Sequence, residues 1–140
     1  MLDYNKKKHV GYIGHEKMMI SLTRNDYEPD ICFFSNKKKS QFIKNQMRFT
    51  APDFIVEILS KSTKKIDRGV KFEDYTAHNV SEYWIIDADN EMLEQYFLKN
   101  GKYELNLNSG SGKVQSKAIK GFEIPVRAIF DEKENWKVEF

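Results

Sequence analysis

Apolar residues run almost unbroken through Phe54-Ile55-Val56-Glu57-Ile58-Leu59 and again through Tyr83-Trp84-Ile85-Ile86, and both stretches predict strands. A strand with one wet face alternates apolar and polar residues, so a continuous run points to a central position covered on both sides. Ile31-Cys32-Phe33-Phe34, opened by Pro29-Asp30, predicts another apolar strand. Met92 to Leu98 and Tyr103 to Leu107 do alternate. Asn100-Gly101 between them predicts a hairpin, because a tight two-residue turn needs positive φ at both positions. Val10 to Leu22 sets β-formers among Gly11 and Gly14 and reads as an interrupted strand pair, and Thr23-Arg24-Asn25-Asp26 is turn chemistry.

Between the two central strands, Ser60 to Thr63 offers hydroxyl caps and a helix is expected from Lys64 to His78. Ile66, Val70 and Ala77 recur at helical spacing and Asn79 is its stop. Gly69 inside that helix costs about 1 kcal/mol relative to Ala, which predicts close packing there. Ser35 to Ser40 reads as a polar loop, and Gln41 to Met47 as one or two helical turns. Asn108 to Gly112 reads as a flexible loop, and Phe122 to Phe130 as a last packed segment before an exposed tail. There is no internal repeat. The order of strands, helix, strand and hairpin gives an α/β (α+β) sheet domain, with residues 1–10 flexible and 1–140 forming one domain.

Composition narrows this picture. Of 140 residues, 40% are hydrophobic and 14% aromatic, which argues against disorder and for a core of ordinary size. No apolar run approaches the roughly 18 residues of a membrane helix. The basic cluster Lys6-Lys7-Lys8 is followed by no apolar stretch, so no signal peptide is read there, and a cytoplasmic domain is expected. The single cysteine, Cys32, excludes an intramolecular disulfide and a cysteine-built zinc site, and its apolar neighbours make it a buried, inert thiol. A net charge of +2 does not by itself argue for nucleic acid. The lysines of 6–8, 37–39 and 61, 64 and 65 read as solvated runs, with phosphate contact as the other reading.

One residue violates the apolar pattern. Glu57 lies mid-strand, where an ionised carboxylate without compensation costs several kcal/mol, so a cation, a metal ion or a proton is required. Pairing with an Arg or Lys, or an edge position facing water, would satisfy it equally. Alternation puts Asp53, Ile55, Glu57 and Leu59 on one face. If the strand opened by Asp30 is a neighbour, Asp30 and Glu57 share a cleft. Two close carboxylates suit a Mg²⁺ ion; acid–base work of the glycosidase kind is the competing chemistry. On the helix, Asp67, Lys71 and Tyr75 form one stripe. It is either an exposed ion pair or a means of aiming the Lys71 ammonium at the carboxylates.

Four ordered blocks carry a resemblance. They are Tyr27-Glu28-Pro29-Asp30-Ile31; Ala51-Pro52-Asp53-Phe54-Ile55-Val56-Glu57-Ile58-Leu59-Ser60; Ser62-Thr63 with Asp67, Lys71 and Tyr75; and Val80-Ser81-Glu82-Tyr83-Trp84-Ile85-Ile86-Asp87. From about Gly11 onward the chain resembles the Uma-type restriction endonuclease family of the PD-(D/E)XK nuclease superfamily, which is abundant in bacteria. The resemblance implies a restriction-endonuclease-like mixed central sheet flanked by helices, with a β-hairpin towards the carboxyl end. It implies an endonuclease hydrolysing DNA with Mg²⁺, for which Mn²⁺ can substitute. Asp30, Glu57 and the carbonyl of Ile58 take the places of the metal ligands. Leu59 stands where the lysine of the motif is expected, and Lys71 resembles the migrated replacement. Asp67 and Tyr75 match the pattern with roles left between packing and capping. Asp53 is read as a strand start, and His15 and His78 as structural.

The chain also departs from the family at its beginning. No amphipathic amino-terminal helix is read before Asp30, and Glu16 is the weak candidate for a further acid, Glu28 belonging to the turn. An uncovered sheet face would be an interface. The sequence therefore leads to a homodimer or other oligomer, or else to a catalytically weak or inactive nuclease-fold module acting in binding or assembly.

Overall fold

In the computed structural model, residues 1–15, 18–60 and 68–140 are described. Along the chain run α1 (Leu2–Lys8), β1 (Gly11–His15), β2 (Met19–Ser21), β3 (Asp26–Tyr27), β4 (Ile31–Ser35), α2 (Asn36–Lys39), β5 (Arg48–Phe49) and β6 (Phe54–Ile58). They are followed by α3 (Val70–Ala77), β7 (Glu82–Asp87), β8 (Met92–Lys99), β9 (Lys102–Ser109), β10 (Lys113–Gln115), β11 (Glu123–Pro125), α4 (Arg127–Phe130) and α5 (Glu132–Trp136). A six-stranded mixed sheet in the order β1-β4-β6-β7-β8-β9 forms the centre. Its β6 and β7 are parallel, and the other neighbours are antiparallel.

The two continuous apolar runs become the two middle strands of that sheet, because each face needs covering. On one face Phe33, Phe54, Val56, Trp84, Ile86 and Leu93 are buried. On the other face Cys32, Phe34, Ile55, Tyr83 and Ile85 are buried. The second face is covered by α3, through Tyr75 and Phe72, and by the small sheet β3-β2-β5, through Ile20, Tyr27 and Phe49.

The first face was expected to lie bare, and it does not. Leu2–Lys8, read as flexible, form a helix that buries Tyr4 there, and Val114, Ile119, Phe122 and Val126 fill the rest. The Tyr4 hydroxyl donates to the carbonyl of Lys120 at 2.5 Å. The tail is largely exposed as expected, Trp136 at 73%, but its end docks: the Phe140 ring packs 5.2 Å from Tyr4 and 5.7 Å from Phe122. One aromatic per segment is enough to dock each end, and a single aromatic leaves no periodicity to read. The expectation of an oligomer that closes a bare face loses this ground.

Smaller expectations also change. Asn36–Lys39, read as loop, is a helical turn because the Ser35 hydroxyl accepts from the Lys38 amide at 3.4 Å. Gln41 to Met47 forms turns and no helix. Gly69 caps α3 instead of lying inside it, with φ of −115° and ψ of −100°. The stretch from Lys61 to Asp67, with the expected caps Ser62 and Thr63 and the helix start, lies outside the described residues. The hairpin forms as expected, with Asn100 at φ 51° and Gly101 at φ 76° joining β8 to β9.

Candidate active site

The parallel pair ends at its carboxyl edge, where the main chains of β6 and β7 part. Crevices at such edges are where open α/β sheets present ligand-binding groups. Glu57 is the penultimate residue of β6 and is 1% exposed, on the face beneath α3. The register that opposes Ile31 to Val56 brings Asp30, one residue earlier, opposite Glu57.

The two carboxylates are tied reciprocally by main-chain amides. The Asp30 amide donates to Glu57 Oε1 at 3.1 Å, and the Ile58 amide donates to Asp30 Oδ2 at 2.7 Å. Asp30 itself is exposed, so the pair spans from a buried acid to a surface acid within one strand crossing. Lys71, on the first turn of α3, places its ammonium on Glu57 Oε2 in an ion pair that is 14% exposed on the lysine side. A buried carboxylate is tolerated when a cation and further hydrogen bonds compensate its lost hydration. Glu57 has both. The same ammonium stands 5.7 Å from the centroid of the Tyr27 ring.

The other candidates separate. Tyr75, next on the Lys71 stripe, is fully buried and meets the rings of Tyr27 and Tyr83 edge-on, 5.5 and 5.3 Å away. It serves packing. Asp53 accepts from the Ser35 amide at 2.7 Å and pairs with Lys38 at 3.2 Å, which fastens α2 to the sheet away from Glu57. His78 is structural, bonded to the Asp74 carbonyl at 2.9 Å and the Thr23 hydroxyl at 2.9 Å. His15 is exposed at the end of β1, opposite Ile31. Cys32 is 1% exposed, and burial above all pushes its thiol up to about 12. Asp67 and Glu16 lie outside the described residues.

Sequence reasoning assigned no role to a second polar group beside the site. Asp74, 4% exposed, accepts from the Tyr27 hydroxyl at 2.5 Å, Asn25 Nδ2 at 3.0 Å and an Arg24 nitrogen at 2.6 Å. Burial raises the carboxyl pKa, but the bonds from Asn25, Tyr27 and Arg24 outweigh it and hold the group below its ordinary range. Tyr27 is pushed the other way, to about 12, by burial first and then by Asp74. On a helix read from sequence alone, Asp74 is indistinguishable from a solvated acid.

Two carboxylates supply hard oxygen ligands of the kind Mg²⁺ takes from proteins, usually one or two with water completing the shell. Among the described residues no group of three or more His, Cys, Asp or Glu gathers as a larger cage. The donor set therefore fits a hard divalent ion shared with solvent or a phosphate, and not a closed structural metal site.

Comparison with known proteins adds kinship. Residues 2–127 match the model of the Uma2 family, described as "Putative restriction endonuclease". An uncharacterized protein of Synechocystis sp. is 32% identical over 126 residues, covering 84% of this chain and 62% of that protein. The chain thus spans under two thirds of the length of this curated relative. A crystal structure from Anabaena variabilis, titled as a "putative nuclease belonging to DUF820", matches with a TM-score of 0.74 at 17% identity. That match covers 91% of this chain and 72% of the other. At that identity the match establishes the fold. With the family pattern running from the first helix to the start of α4, the chain belongs to the Uma2 family.

Proposed function

We propose that the chain is a metal-dependent endonuclease that hydrolyses phosphodiester bonds of DNA, with Asp30, Glu57 and Lys71 as its reacting machinery. The observation that carries this reading is the Lys71–Glu57 ion pair at the carboxyl edge of the parallel strands, with Asp30 bound to the same strand end through the Asp30 and Ile58 amides. Asp30, Glu57 and the carbonyl of Ile58 would hold Mg²⁺, or Mn²⁺ in its place. The chemistry such an ion supplies is a lowered pKa for water and a polarised phosphoryl oxygen.

The rest belongs to the chain. Asp30, exposed at the rim, presents a carboxylate that accepts from an incoming water and orients it. Glu57, held from both sides, fixes the position of its neighbour because the Asp30 amide is bonded to it. Lys71 carries its positive charge where negative charge accumulates on the phosphoryl oxygens as the bond to the leaving group stretches. Its stem is largely covered, so the ammonium is preorganised and little reorientation remains for the reaction step. A DNA substrate implies a cytoplasmic site of action, and among the described residues no helix is long and apolar enough to cross a membrane.

Nicking of supercoiled plasmid in Mg²⁺ or Mn²⁺ tests the reading. Glu57→Ala and Asp30→Ala are each expected to reduce the rate at least about 100-fold. Equal rates in Glu57→Ala and the parent chain would remove the assignment. Calorimetric titration with Mg²⁺ separates the remaining alternative: heat that disappears in Asp30→Ala supports the ion site, and no heat in either protein supports a binding module without catalysis.

A further inference from the structure

Among the described residues, the ammonium of Lys71 has another neighbour besides Glu57, and that neighbour is itself anchored. Tyr27 belongs to β3, three residues before Asp30. Its ring stands beneath Lys71 Nζ at 5.7 Å from the centroid, and its hydroxyl donates to Asp74 Oδ2 at 2.5 Å. Lys71 and Asp74 are three residues apart on α3, hence on one side of the helix. One phenol therefore bridges from the ammonium to a carboxylate a turn further on. Asn25 and Arg24, from the same segment, close on the same carboxylate.

We infer that Tyr27 is a positioning residue for Lys71: its ring, pinned by Asp74, holds the ammonium over Glu57. The inference rests on the nuclease reading for its functional consequence, though not for its geometry. An ammonium near an aromatic face is attracted by the ring's negative face, more strongly as water is excluded. A long lysine otherwise has many rotamers, and holding one of them against a carboxylate costs entropy. The ring reduces the space available, and the Asp74 bond keeps the ring from turning away. The Tyr27–Pro29 stretch then leads directly to Asp30, so one short segment sets both the lysine and the surface acid. Tyr75, edge-on to Tyr27 at 5.5 Å, backs the ring from the core.

The test compares Tyr27→Phe, which keeps the ring, with Tyr27→Leu, which removes it. In Tyr27→Leu the Lys71 ε-methylene is expected to gain mobility by carbon relaxation. In the same variant kcat on plasmid DNA is expected to fall about three- to thirtyfold, with Mg²⁺ affinity by calorimetry within about twofold of the parent. Tyr27→Phe, which keeps the ring but loses the bond to Asp74, is expected to leave Lys71 less mobile than in Tyr27→Leu yet looser than in the parent, with kcat between the two. Unchanged Lys71 relaxation in Tyr27→Leu overturns the inference, and so does a loss of Mg²⁺ affinity in proportion to kcat, which a loosened fold would produce. Should Tyr27→Leu fail to fold, increasingly fluorinated phenylalanines at position 27 keep the shape while draining the ring face. Lys71 must loosen along that series, and a flat series overturns the inference. If Lys71 loosens while the parent chain, or Lys71→Ala, shows that cleavage does not depend on this lysine, the positioning stands and the nuclease reading falls.

Discussion

Two glutamates are buried in the middle strands, on opposite faces, and the chain stabilises them by different means. Glu57 takes a cation and a main-chain amide. Glu82, fully buried, takes five neutral donors: Trp84 Nε1, Gln95 Nε2, the Ser116 hydroxyl and the amides of Lys117 and Ala118, all within 3.1 Å. No cation is among these five. Dipoles from several directions can replace hydration when every lone pair is used. Glu82→Ala would leave those donors without an acceptor in a dry site, and is expected to cost about 3–5 kcal/mol in urea unfolding. Glu57 was legible as an anomaly because it interrupts an apolar run; Glu82 was not, because it precedes its run and resembles an ordinary strand start.

Asp74 carries a pH dependence of definite sign. Its carboxyl is held below the ordinary range in the folded chain, with burial opposing and the bonds from Asn25, Tyr27 and Arg24 prevailing. A depressed carboxyl contributes stability above its unfolded pKa, near about 3.9, and loses it as pH falls through the folded value. Asp74→Asn is therefore expected to be less stable than the parent at pH 7 and to show a shallower decline in acid, both readable from thermal midpoints across pH 2.5 to about 7. A decline as steep as the parent's would assign the acid sensitivity to other carboxylates.

Among elements, the middle strands and the hairpin were readable because their signals are local: an unbroken apolar run, and a dipeptide that accepts positive φ. What escaped were pieces with one decisive contact each. The turn of α2 is an asparagine and three lysines held by a serine cap, and α1 offers one buried side chain, Tyr4. The meeting of Asp30 with Glu57 depended on strand adjacency, which alternation alone does not give. Two glycines show how differently local and non-local constraint act. Gly101 has φ 76° and nothing near its absent side chain, so Gly101→Ala is expected to cost about 1 kcal/mol through the backbone alone. At Gly11 a methyl group would lie 2.2 Å from the Phe34 carbonyl oxygen across the β1–β4 pair. Gly11→Ala is expected to cost more than twice as much, or to part that edge strand, as hydrogen exchange of Gly11–His15 would reveal.

In the whole molecule the site and the covered face lie back to back across one sheet. The face holding Glu57 carries α3 and the small sheet; the face behind it is filled by segments drawn from both ends of the chain. The run β7-β8-β9 is a meander whose partners are close in sequence, whereas the bond from Tyr4 to Lys120 joins residues 116 apart. Contacts between near neighbours assemble early because little chain entropy is lost in closing them, and far ones wait. By that ordering the clasp of the two ends is expected to form after the barrier is crossed. Tyr4→Phe should leave the refolding limb of a chevron in place and raise only the unfolding limb, so that this distant hydroxyl governs how long the molecule lasts and not how fast it forms.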